Sequence, residues 1–133
     1  MRAVAKDAPP QLLTFWELWQ CEEFFACHEV LEDLWRQTTG PRRTFYNGLI
    51  HAAVAMYQQR RGNAVGAARQ MVRAQVKLAP FVPEFDDVDV ESLLRLVEAE
   101  IAPSLRRLTE NEAQKVETLR RDLSREWNGS QGV

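Results

Sequence analysis

A chain of 133 residues, 45% hydrophobic and 27% charged with a formal net charge of −2, has the length and composition of one folded domain. No apolar run approaches the roughly 20 residues that span a bilayer, which excludes a membrane protein. The near-neutral balance also disfavours nucleic acid as a partner at long range.

The opening MRAVAKDAPP lacks the apolar core of a secretory signal, so residues 1–10 read as a flexible lead and the protein as cytoplasmic. Cys21 and Cys27, six apart, match neither a CxxC redox pair nor a zinc knuckle and read as core or boundary thiols. Beyond the lead, apolar residues recur at three and four spacing and strand signals are nearly absent. The expectation is an all-α fold, a compact bundle of antiparallel helix hairpins with five to six helices.

The first helix is predicted over Gln11–Cys21, carried by Leu12, Phe15, Trp16 and Trp19, and the second over Glu23–Gln37, stopped by Gly40-Pro41. A third spans Arg42–Arg61 with Gly62 as its C-cap, and Asn63 then caps a fourth that buries Ala67, Met71, Ala74 and Leu78 until Pro80. The stretch from Pro80 to Val88 has two interior or flanking prolines and no periodicity, so it reads as a loop anchored by Phe81 and Phe85. Asp89 restarts a fifth helix on the stripe Val90, Leu93, Leu94, Val97 and Ile101. Pro103 then kinks the chain or opens a sixth helix running to about Trp127. That last segment has a thin apolar line, Leu105, Leu108, Val116, Leu119, Leu123 and Trp127, interrupted by Glu112. Such a helix needs cover, from this domain or from a second copy, which makes a homo-oligomer through the C-terminal helix an expected partner arrangement. The expected organisation is a lead over 1–10, a helical core domain over 11–102 and a helical extension with a frayed tail over 103–133.

The segment CHEVLEDLW, residues 27–35, sets His28 and Glu32 four apart on one helix face. Turning that helix by about 100° per residue from Phe24 puts Trp35, His28, Glu32 and Phe25 at roughly 20°, 40°, 80° and 100°, which places His28 at the centre of the apolar face. The third helix is apolar or small around most of its circumference except for a stripe of Asn47, His51 and Gln58. If the two helices pack antiparallel, His28, Glu32 and His51 converge in one polar pocket. Imidazole and carboxylate together suit a divalent metal, the candidate cofactor, with Glu29 as the candidate catalytic base and Asn47, Tyr57 and Trp35 as candidate contacts to a small-molecule ligand. The HExxE spacing is half of the HExxH zinc-protease helix, its second histidine missing. The bland reading is a His–Glu pair that satisfies itself inside a core. The leading function is therefore a buried His/Glu site for a small ligand or divalent metal, and the alternative is a non-enzymatic helical interaction or scaffold module.

From Leu34 to Pro83 there is no Asp or Glu, while Arg36, Arg42, Arg43, Arg60, Arg61, Arg69, Arg73 and Lys77 are present. The block is +8 and the rest of the chain −10. A third expectation follows, weak binding of an anion or nucleic acid on this block, against internal neutralisation by the acidic helices.

FFACHEVLEDLW, followed by the GLI segment Gly48-Leu49-Ile50 and the pair Gly62-Asn63 with Gly66-Ala67, resembles the small prokaryotic family called domain of unknown function 309. The marks are Phe24, Phe25, His28, Glu29, Glu32 and Trp35, and the similarity covers about residues 15–102. This resemblance implies a compact multihelical domain and brings no established activity. Where the family often has Gln on either side of GLI, this chain has Asn47 and His51, so a ligand role for His51 is not implied by the family. Residues 103–133 fall outside the shared core.

Overall fold

The computed structural model describes residues 8–131, with side chains as far as Glu126. The lead expected over residues 1–10 thus lies almost wholly outside the described residues, and so does the side chain of Trp127. Six helices follow one another: α1 (Pro10–Gln20), α2 (Phe24–Gln37), α3 (Pro41–Arg60), α4 (Ala64–Leu78), α5 (Val90–Leu105) and α6 (Glu110–Gln131). The all-α expectation holds, and the helix ends show why. Pro10 and Pro41 occupy first-turn positions, where the missing N–H would have no helical partner.

The α3–α4 hairpin turns in three residues, Arg61, Gly62 and Asn63. Gly62, at φ 80°, donates its N–H to the Gln59 carbonyl, and Asn63 donates to the Gln58 carbonyl, a Schellman closure that needs a residue free to adopt left-handed backbone. Asn63 then turns its Oδ1 to the N–H of Gly66 and caps α4. Gly48 lets the two helices approach, because a Cβ there would lie 2.5 Å from Leu78 Cγ.

Two segments differ from expectation. Residues expected to form a bare loop include a two-residue hairpin, β1 (Glu84–Phe85) paired antiparallel with β2 (Val88–Asp89), register Glu84↔Asp89 and Phe85↔Val88. Its turn residues Asp86 and Asp87 take φ 49° and 62°, a conformation two-residue hairpins require and aspartate tolerates. The anchoring phenylalanines behave as expected, Phe81 and Phe85 packing on each other at 4.6 Å and on Phe45 at 5.5 and 4.8 Å. Pro103 neither starts a helix nor ends one: α5 runs through it to Leu105. The break falls at residues 106–109, and Thr109 starts α6 with a reciprocal capping box, its Oγ1 accepting from the Glu112 N–H at 3.1 Å while Glu112 Oε1 accepts from the Thr109 N–H at 2.9 Å. Glu112, which reads as an interruption of the apolar line, is half of that cap.

The main core joins Leu12, Phe15, Trp16 and Trp19 of α1 to the inner faces of α2, α3, α4 and α5. Central α3 touches α2, α4 and α5. A second, smaller core forms where α6 lies on α4, Val116 packing with Ala68, Val72 and Val76 and flanked by Leu108, Leu119 and Leu123. Leu108, Val116, Leu119 and Leu123 of the thin apolar line therefore have cover within their own chain, whereas Leu105 is exposed.

Candidate functional site

The buried residues of α2 are Phe24, Cys27, Leu31 and Leu34. On the wheel they centre near 320°, so His28, at roughly 40°, stands at the edge of the apolar stripe and not at its middle. It is nevertheless well enclosed, its side chain 16% exposed. The cover is aromatic: the Phe25 ring meets the imidazole edge-on at 4.7 Å and the Tyr57 ring of α3 at 5.0 Å. Phe25 itself is 48% exposed. Arg61 extends the cluster, its guanidinium 5.4 Å from the Tyr57 ring.

His28 Nδ1 lies 2.5 Å from the Phe25 carbonyl, which can only accept, so this nitrogen carries a proton. That contact fixes the ring and turns Nε2 toward Glu32, whose Oε2 is 4.0 Å away. The other Glu32 oxygen holds Arg36 at 2.6 Å, and Arg36 also reaches Asp33 at 3.1 Å. Glu29, the candidate base, is exposed on the outer side of α2.

His51 is elsewhere. Its Nδ1 is 2.7 Å from Gln70 Oε1 on α4, and the charges that act on it come from Arg73 and Lys77. Burial pushes its pKa below the ordinary 6.5, the Gln70 hydrogen bond opposes this, and the two cations lower it further. The expected convergence of His28, Glu32 and His51 is thus corrected: α2 and α3 do pack against each other, but His51 leaves α3 on the side of α4. Among the described residues no group of three or more His, Cys, Asp and Glu side chains is placed to hold a metal ion.

The other expected contacts are distributed along the same surface. One face of the Trp35 ring is occupied by the Arg43 guanidinium at 4.1 Å, and Arg43 also donates to the Trp35 and Thr38 carbonyls at 2.9 and 3.2 Å, closing the end of α2. Asn47 is half-buried on the outward side of α3, and Tyr57 enters through its ring. Cys27 is a core thiol, as expected, donating to the Phe15 carbonyl, and burial holds its pKa far above the usual thiol range. Cys21 is exposed.

Much of the basic block is paired. Arg42 grips Asp86 of the hairpin through two bonds of 2.6 and 3.1 Å, Arg60 pairs with Glu22 in the α1–α2 turn, and Arg36 is held within α2. Neutralisation comes from acids flanking the block, and it leaves Arg69 and Arg73 on the outer side of α4 as the cations nearest to a common face. A separate groove of about 540 Å³ lies between Val82-Pro83 and α5, where Glu91 and Arg95 pair across its lining at 2.7 Å.

Sequence reasoning missed the exposure of Phe25, because an aromatic in the i−3 position to a core-facing histidine reads as core. It also missed Gln70, whose amide decides the direction of His51. The T-x-x-E signature of the α6 cap, in contrast, was present in the residues themselves.

An all-α domain built on an aromatic-covered histidine of α2 is the class that fold and site define. Residues 12–70 match the family described as Domain of unknown function (DUF309). The match begins within α1 and ends within α4, short of the α5 and α6 layer. The chain is similar to the uncharacterized protein YpuF of Bacillus subtilis (strain 168), 40% identical over 53 residues, which are 39% of this chain and 30% of that protein. It is also similar to an uncharacterized protein of Aquifex aeolicus (strain VF5), 26% identical over 81 residues, 60% of this chain and 24% of that one. The chain thus spans less than a third of either relative. No solved structure matches. No helix among the described residues is long and apolar enough to cross a membrane.

Proposed function

We propose that this chain is a helical interaction module whose working surface is the outward side of α2 and α3. The observation that carries the reading is Phe25: a large aromatic ring left half in water, backed by His28 and Tyr57, with Arg61 over the same Tyr57 ring and Glu29 one helical turn along α2. Exposed aromatic rings with arginine and a polar rim have the composition of binding hot spots, where one buried ring supplies most of the energy and the rim excludes water. Burying the exposed half of Phe25 in a partner would contribute about 1 kcal/mol from its apolar area.

Replacing Phe25 by a photo-crosslinking phenylalanine analogue in the full chain, expressed in its own host, tests this. A discrete adduct is expected from position 25 and none from the same analogue at Leu96, another exposed apolar position, on α5. Absence of any adduct at position 25 would overturn the reading.

A second reading has one specific observation in its favour. His28 donates Nδ1–H to a carbonyl and presents Nε2 toward a carboxylate, the orientation second-sphere bonds impose on metal-binding histidines. Here the chain supplies two donors, and a divalent ion would need others from water or a partner. Zinc or manganese titrated into the untagged chain, with His28→Ala as the control, distinguishes it: heat of binding that the substitution abolishes supports a metal, while unchanged behaviour apart from lower stability leaves His28 as the backing of Phe25.

A further inference from the structure

Helix α3 lies between α2 and α4, and all three turn one side outward together. On α3 that side is Arg43, Asn47, His51, Val54 and Gln58, none of them fully buried, while the opposite side holds Phe45, Leu49 and Met56 in the core. The outward side of α2 carries Glu29, Glu32 and Asp33 together with Arg36, which is bonded to the last two, so its balance is three acids against one base and Glu29 is the carboxylate outside that cluster. That of α4 is basic, with Arg69 and Arg73 beside Gln70. A stripe of negative charge therefore runs along one flank of α3 and a stripe of positive charge along the other.

The stripes stand at the same height. Phe25 is level with Tyr57, so Glu29, one helical turn further along the antiparallel α2, is level with about residue 53 of α3. Gln70 is bonded to His51, so Arg69 is level with about residue 52. Glu29 and Arg69 consequently flank the same turn of α3, one on each side.

We infer that this face is an interface between two copies of the chain, related by a two-fold axis that runs along α3 between them. Such an axis keeps height and exchanges left for right, so the α2 of one copy lies over the α4 of the other and Glu29 meets Arg69 twice, once on each side of the axis. A two-fold perpendicular to the helices would instead lay acidic α2 on acidic α2, and like charges reject it. Charge complementarity thus selects both the partner and the symmetry. Phe25 sits at the edge of the acidic stripe, where the second copy covers it. The C-terminal helix is not required, since its apolar line is already seated on α4.

The inference rests on the interaction-module reading and adds its partner, and the position-25 adduct separates the two. An adduct of twice the 15.3 kDa chain mass supports the dimer, and an adduct with a different protein overturns it while leaving the module reading intact.

The decisive test is sedimentation of the full chain. The wild type is expected to sediment as a dimer at about 0.05 M salt and to dissociate toward 0.5 M, as screening shortens the reach of exposed charges to a few ångströms. Glu29→Lys alone and Arg69→Glu alone each place like charges together at two symmetric positions, and each is expected to weaken association by about 10-fold or more. Mixing the two variants in equal amounts restores both opposite-charge contacts in the mixed pair, and the dimer should return. All three samples are checked for unchanged helical circular dichroism. A wild type that sediments as 15.3 kDa at low salt, or single variants that dimerise as well as the wild type, or a mixture that stays monomeric, would overturn the inference.

Discussion

His51 illustrates how one side chain acquires a property from two elements at once. Its ring leaves α3, its proton goes to Gln70 of α4, and two cations of α4 face it, so the fold favours the neutral imidazole. In the unfolded chain the same ring titrates near 6.5. The unfolded state therefore binds the proton first as pH falls, and stability declines below about pH 6.5 until the folded-state pKa is passed. Above that pH both states are neutral and His51 contributes no pH dependence. His51→Gln should flatten this part of the stability curve, read by urea denaturation at several pH values at low protein concentration. An identical slope in the variant would assign the acid sensitivity to other groups.

Helix α3 shows what decides packing at the scale of an element. It is nearly all apolar or small, which makes it central, but its distance from α4 is set by Gly48, where Leu78 fills the space of a side chain. Alanine is a better helix former by about 1 kcal/mol, so an isolated helix would gain from Gly48→Ala. In the folded chain the added methyl must displace a fully buried leucine, and overpacking of this kind costs about 1–3 kcal/mol. A net destabilisation is expected, with the unfolding midpoint falling, and the double variant with Leu78→Ala should be less destabilised than the sum of the two single changes. Stabilisation by Gly48→Ala would mean that the α3–α4 contact is looser than the structure has it.

At the scale of the whole molecule, two cores share α4. The larger is completed by α1, α2, α3 and α5, whereas Val72 and Val76 depend on α6 for their cover. A chain ending after Thr109 should keep the six-element order only as far as α5 and expose both valines, losing about 3 kcal/mol or more from that area. Binding of a hydrophobic dye should rise and the thermal midpoint fall by several degrees. A truncated chain as stable as the full one would show that α6 is an appendage. The matched family segment, residues 12–70, ends within α4, so all of this second core except Ala68 is built outside it.

Legible in the residues alone were the helices, since periodicity, Pro10, Pro41, Gly62, Asn63 and Asp89 are local signals that act through the backbone next to them. The burial of Cys27 and the anchoring of Phe81 and Phe85 followed from the same apolar stripes. The hairpin at residues 84–89 escaped because Asp-Asp is a poor left-handed turn by propensity and is held there by Phe85 and Arg42 from elsewhere in the chain. For the candidate site, local spacing put His28 and Glu32 on one face of α2, and the structure has them 4.0 Å apart. Which way His51 points, whether Phe25 is core or surface, and what covers α6 depend on the rotation of each helix against its neighbours. Rotation is decided by the packing of all six helices together, and a shift of some 40° about an axis moves a residue from the core to its edge while leaving every spacing in the sequence unchanged.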